Sequence, residues 1–281
     1  MTENHKPHDR WWDDSQAYIK AYEDIEFLNL DELRPVRLQL ELLKPELALR
    51  KRRIRSTIVV FGGTRIVHPE EAKRRLGKAE SAVAANPGEP RLAMRVEAAR
   101  RILSKSRFYD EARSFAKIVS TDKRDNGDQD FVIVTGGGPG IMEAANRGAW
   151  EIGAESIGLN ITLPHEQEPN PYITPELCFQ FRYFAIRKMH FMLRAKALVA
   201  FPGGYGTMDE LFEALTLVQT RKVPELPIVL MGREFWDRIV NFEEFVLEGV
   251  IDPDDIHLFK FAETANEAWD HIRTFWDEHD S

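Results

Sequence analysis

The sequence predicts an α/β fold: a Rossmann-like, doubly wound parallel sheet with an N-terminal helical extension and a helical insertion. Three observations predict it. Short runs rich in Val, Ile, Leu and Phe recur along the chain and end in glycine or proline, as parallel strands buried on both faces do. Helical stretches alternate with these runs, which is the pattern of βαβ units. Three of the runs lead directly into glycine-rich loops, the place where an open parallel sheet receives ligands.

Taken in order, residues 1–52 read as a charged, mostly helical extension. Leu38, Leu40, Leu42, Leu43 and Leu47 alternate with charges there, and Pro35 and Pro45 punctuate them. Asp13, Asp14 and the neighbouring tryptophans do not resemble a signal peptide. The basic run Arg50, Lys51, Arg52, Arg53 reads as a solvated linker, with an anion-binding patch as the alternative. From residue 53 to 281 a single nucleotide-binding domain is expected. Its strands fall at 57–61, 131–135, 156–161, 197–201 and 227–231, with a further candidate at 257–261. Region 69–119 is too long for one crossover and reads as two or three helices, broken at Asn86-Pro87-Gly88-Glu89-Pro90. Such an insertion packs on the sheet or builds an oligomer contact. A last helix begins at the capping box Thr264-Ala265-Asn266-Glu267 and buries Trp269, Ile272, Phe275 and Trp276.

Composition narrows the function. The net charge of −8 argues against a broad grip on nucleic acid. One cysteine, Cys178, precludes an intrachain disulfide, fits a cytoplasmic setting, and reads as an inert core thiol. No apolar run approaches the roughly 18 residues of a membrane helix, so no membrane partner is expected. The eight histidines form no HExxH pattern, and no metal is expected.

The glycine loops are Gly62-Gly63-Thr64-Arg65, Gly136-Gly137-Gly138-Pro139-Gly140 and Pro202-Gly203-Gly204-Tyr205-Gly206-Thr207. Glycine admits close approach of the backbone, and the helix N-terminus that follows favours an anion. Three such loops on one sheet edge point to a phosphate-bearing ligand. Neither a P-loop nor GxSxG is present, and a GxGxxG from Gly136 fails at Ile141. Thr207-Met208-Asp209-Glu210 also reads as a capping box, with Thr207 as N-cap, so a structural role for Glu210 stands beside a chemical one.

The segment Pro202-Gly203-Gly204-Tyr205-Gly206-Thr207-Met208-Asp209-Glu210 resembles the PGGxGTxxE signature of the LONELY GUY (LOG) family of phosphoribohydrolases. Arg187-Lys188 matches the Arg-Lys pair that precedes it there, and the two other glycine loops resemble the family's first and second. The length of the chain is similar to the family's longer bacterial forms. The resemblance implies hydrolysis of a nucleoside 5′-monophosphate, AMP or an N6-substituted AMP, to free base and ribose 5-phosphate. It assigns catalysis to Arg187 and Glu210. It assigns phosphate binding to Gly203, Gly204, Gly206 and Thr207, and positive charge near phosphate or base to Lys188. Gly137, Gly138 and Met142 are expected near sugar or base, with Glu143 as a second acid and Gly62, Gly63 and Thr64 in the first loop. It implies no cofactor and a homodimer or larger homo-oligomer. The label "lysine decarboxylase" often given to the family has no support in these residues, since pyridoxal phosphate chemistry needs a Schiff-base lysine with partners for the ring. His190 reads as packing, and Asp209 points away from Glu210 on a helix. The loop His165-Glu166-Gln167-Glu168-Pro169-Asn170 either covers the pocket or lies on the surface. The competing reading is a non-catalytic nucleotide or cofactor carrier, akin to the molybdenum-cofactor carriers; the Arg187/Glu210 pair distinguishes the two.

Overall fold

The computed structural model describes residues 12, 15–122, 128–164 and 168–279. Asp13, Asp14, Trp11 and the 165–167 part of the expected covering loop lie outside the described residues. Contacts divide the chain into two units, 1–44 and 45–281. In the first unit, α1 (Ile25–Leu28) is capped by Asp24, whose side chain accepts from the Phe27 amide at 2.9 Å. Arg37, near the start of α2 (Arg34–Lys51), donates to the carbonyls of Leu28 and Leu30 at 2.6 Å each.

The second unit takes up the end of α2, where Pro45 and Leu49 are buried. Then come β1 (Thr57–Phe61), α3 (Pro69–Ala85), α4 (Pro90–Lys105), α5 (Arg107–Thr121), β2 (Val132–Thr135), α6 (Ile141–Trp150), β3 (Ser156–Ile161) and β4 (Cys178–Phe181). They are followed by α7 (Phe184–Leu193), β5 (Ala195–Ala200), α8 (Tyr205–Gln219), β6 (Ile228–Met231), α9 (Arg233–Ile239), α10 (Phe242–Leu247), β7 (Phe259–Ala262) and α11 (Ala265–His279). The sheet has seven strands in the order β4-β3-β2-β1-β5-β6-β7, and every pairing is parallel. This is the Rossmann-like α/β fold. The strand order reverses between β1 and β5, which makes their carboxyl ends the switch point where such sheets bind ligands.

Alternation within β1 explains the two core layers. Ile58 and Val60 pack on the side of α5, α6 and α11, with Phe115, Ile141 and Trp269. Val59 and Phe61 pack on the other, with Phe191 of α7 and Leu211 and Ala214 of α8. Both faces are dry, so the strand reads as a continuous apolar run.

Four expectations shift. β4 was not expected; it is a four-residue edge strand in which Gln180 is exposed. Phe131 precedes β2 at φ 57°, outside strand geometry, and the expected 257–261 strand begins two residues later. Region 69–119 forms three helices, within the expectation of two or three; α5 packs on the sheet, while α3 and α4 pack on each other and bury little. The basic run is more than a solvated linker, since Arg52 pairs with Glu155 and Glu176. Among the described residues no helix is long and apolar enough to cross a membrane.

Candidate active site

The three glycine loops are joined by their own backbones. The Gly63 amide donates to the Pro202 carbonyl at 2.9 Å, and the Ile141 amide donates to the Gly63 carbonyl at 3.3 Å. Gly140 adopts φ +74°, and a Cβ there would lie 2.5 Å from the Gly63 carbonyl oxygen. Gly62 is pressed against Ile141, whose Cγ2 would stand 2.5 Å from an added Cβ. Thr64 is exposed at the rim.

Behind the second loop lies a buried polar network. The Thr135 hydroxyl accepts from the Gly137 amide at 3.0 Å and bonds Asn146 Oδ1 at 2.7 Å. Asn170 Nδ2 donates to the carbonyls of Gly137 and Gly138, both at 3.1 Å, and to Asn146 Oδ1 at 2.9 Å. Among the described residues of the expected covering loop, 168–170, Asn170 is the buried one, and it holds the glycine loop from behind.

The third loop corrects the capping expectation. Helix α8 starts at Tyr205 with Gly204 as N-cap, so Thr207 is the third helical residue and Glu210 the sixth. Glu210 therefore caps nothing. The Thr207 hydroxyl folds back over Gly203, where a Cβ would meet it at 2.1 Å, and the Thr207 amide donates to the Gly204 carbonyl at 3.0 Å. The amides of Tyr205 and Gly206, at the first two helical positions, have no intrahelical acceptor.

Glu210 and Arg187 meet in the interior. Arg187 Nη1 is 3.6 Å from Glu210 Oε1, and only about a tenth of either side chain is exposed. Arg187 Nε donates to the Leu159 carbonyl at 2.7 Å, and its guanidinium lies 5.0 Å from the Phe191 ring centre. The guanidinium and the Met142 sulfur both crowd Gly136, at 2.6 and 2.9 Å from where a Cβ would be. Burial pushes the Glu210 carboxyl up to about 7, against the pull of Lys188 and Arg187. Burial likewise lowers Arg187, against the pull of Glu210.

Lys188 is held by two ion pairs. Its ammonium sits between Asp209 at 2.8 Å and Glu213 at 2.9 Å, tying α7 to α8. Burial works to lower its pKa, but these two carboxylates outweigh it and the net shift is upward. Glu143 accepts from the Tyr109 hydroxyl of α5 at 2.8 Å. His190 is buried, 5.4 Å from the Phe181 ring centre. Sequence reasoning misses Gly136 as the crossing point for Arg187, and Asn146 and Asn170 as supports behind the second loop. A glycine triplet is a signal for the first, whereas isolated asparagines carry no spacing that marks them.

Comparison with known proteins follows the same residues. The family model described as "Possible lysine decarboxylase" matches residues 142–272. Cytokinin riboside 5′-monophosphate phosphoribohydrolase LOG1 of Arabidopsis thaliana is 27% identical over 154 residues, covering 53% of this chain and 70% of that one. "Probable cytokinin riboside 5′-monophosphate phosphoribohydrolase LOGL3" of Oryza sativa subsp. japonica is 26% identical over 158 residues, covering 53% and 71%. Among solved structures, the molybdenum cofactor binding protein of Rippkaea orientalis aligns with a TM-score of 0.43 at 16% identity, over 60% of this chain and 87% of that one. A structural-genomics target solved by X-ray crystallography aligns with a TM-score of 0.47 at 20% identity, over 78% and 99%. The third glycine loop and the family match fall on the same elements, and over them the chain is similar to proteins of the LOG family.

Proposed function

We propose that the protein is a phosphoribohydrolase that cleaves the N-glycosidic bond of a nucleoside 5′-monophosphate to free base and ribose 5-phosphate. The observation that carries this reading is the buried Arg187–Glu210 pair, set one turn inside the helix that follows the third glycine loop. In the reaction the bond from C1′ to the base nitrogen breaks, a water oxygen bonds C1′, and a water proton ends on the base. The sugar passes through oxocarbenium character, which a desolvated carboxylate stabilises strongly. Glu210 supplies that carboxylate, and near pH 7 it also exchanges protons readily with water. Arg187 stays charged; anchored on the Leu159 carbonyl, it fixes the carboxylate and the sugar edge. A carrier that only holds a nucleotide gains nothing from a carboxylate whose burial costs stability, so the catalytic reading is favoured over the binding one.

The names of the plant relatives suggest an N6-substituted adenine as base, with AMP as the simpler substrate. A Schiff base to pyridoxal phosphate does not fit Lys188, because its ammonium is held by two carboxylates and its pKa is raised rather than lowered. The test is base release from AMP, an N6-prenylated AMP and adenosine, followed by chromatography. Turnover of a monophosphate about a hundredfold above that of the nucleoside is expected from loss of phosphate anchoring. Equal turnover of AMP and adenosine would contradict the reading.

A further inference from the structure

We propose that Lys105, with Arg65 beside it, recognises the 5′-phosphate of the nucleotide; this rests on the function proposed above. The two motif cations are already committed. Arg187 is engaged by Glu210, and Lys188 is engaged by Asp209 and Glu213. A dianionic phosphate therefore needs its positive charge from elsewhere.

A cavity of about 450 Å³ supplies it. Its walls include Gly63 and Arg65 of the first loop, Gly203 and Gly204 of the third, and Lys105 from the last turn of α4. It is thus continuous with the two loops that are hydrogen-bonded to each other. Among the described residues no carboxylate forms an ion pair with Lys105 or Arg65. The nearby acid, Glu234, is paired with Arg238 at 3.7 Å, and Arg101 is paired with Glu97 at 2.7 Å. Lys105 is half-buried, and burial, with Arg238 and Arg101 adding to it, holds its ammonium below the ordinary lysine range. A desolvated cation among like charges is costly, and a bound anion removes that cost.

The spacing along α8 agrees. Glu210 lies five residues beyond Tyr205, a rise of about 7.5 Å. That is of the order of the reach from a 5′-phosphate to the anomeric carbon. A phosphate in the cavity beside Gly204 thus leaves the sugar at Glu210. This reading also gives α4 a purpose. The helix buries only Leu92 and Val96, yet its last turn delivers Lys105 to the loops.

The test compares full-length wild type with Lys105→Met, Arg65→Met and Lys105→Arg. AMP and ribose 5-phosphate affinities are measured calorimetrically, and KM and kcat by base release; thermal melts confirm the fold. Loss of a charge-assisted contact is expected to weaken AMP and ribose 5-phosphate about tenfold in Lys105→Met, with kcat falling less than threefold. Lys105→Arg is expected to recover most of the affinity. Adenosine and inorganic phosphate serve as the separating arms. Adenosine affinity is expected to stay unchanged, and inorganic phosphate to compete with AMP more weakly in the variant than in wild type. Unchanged AMP affinity in a folded Lys105→Met, or an equal loss for adenosine, would overturn the proposal. Wild type that binds AMP without cleaving it would instead overturn the hydrolase reading, and the binding comparison would still decide the role of Lys105.

Discussion

At the scale of the residue, the proposed chemistry rests on the buried Glu210 carboxyl. Its carboxyl is pushed up to about 7 from an ordinary 4.5 because burial outweighs the two cations beside it. Two outcomes follow. If the ionised form does the work, kcat/KM is expected to rise with pH through about 7, read from initial rates between pH 5 and 9. Glu210→Gln keeps size and hydrogen bonding but removes the charge, and is expected to slow turnover about a hundredfold or more with AMP binding little changed. Stability gives an independent reading. With the folded pKa above the unfolded one, the carboxyl is protonated on folding between about 4.5 and 7. The penalty for holding it charged is absent below that window and complete above it. Glu210→Gln is therefore expected to raise Tm at pH 8 and to change it little at pH 4. A Tm difference from wild type that is the same at both pH values would show that the carboxylate carries no burial penalty.

At the scale of the element, the site depends on α7 and α8 keeping register. Lys188 bridges them through Asp209 and Glu213, and its charge also draws the Glu210 pKa down. Lys188→Met is expected to move the acidic limb of the pH–rate profile to higher pH; an unmoved limb would confine Lys188 to packing. The second loop rests on one backbone conformation. Gly137 has φ +76°, and a Cβ there would stand 2.2 Å from Asn160 Oδ1. Gly137→Ala is expected to cost about 2 kcal/mol or more and to lower Tm by roughly 4 °C or more. The sequence made most of these elements legible, because strands buried on both faces leave unbroken apolar runs such as Thr57–Phe61. It hid β4, since an edge strand with one wet face and four residues resembles a loop. It also misplaced the start of α8. Thr207 and Glu210 have the spacing of a capping box, but Gly204 had already opened the helix. The loops and the Arg187–Glu210 pair were readable as motifs. The Lys188 ion pairs and the asparagine supports were not, because they depend on tertiary neighbours that no local spacing announces.

At the scale of the molecule, a sheet that reverses order between β1 and β5 gathers three loops at one rim, where their backbones are hydrogen-bonded to one another. Met189 and Leu193 are exposed one turn apart on α7, next to Lys188. Apolar residues so placed are expected to be covered by a second copy, giving at least a dimer by light scattering at micromolar concentration. Leu193→Glu is expected to shift the mass toward the monomer, and an unchanged mass would remove this face from the assembly. Asn160 joins the sheet edge to the glycine loops: its side chain lies over Gly137 and its Nδ2 donates to Cys178 Sγ at 3.4 Å. Cys178 is the only sulfhydryl in the chain. The chain's one thiol thus lies one hydrogen bond away from a side chain packed on the second glycine loop. Burial raises the thiol pKa and slows its alkylation; bound AMP is expected to slow it further, and an unchanged rate would uncouple Cys178 from the loop.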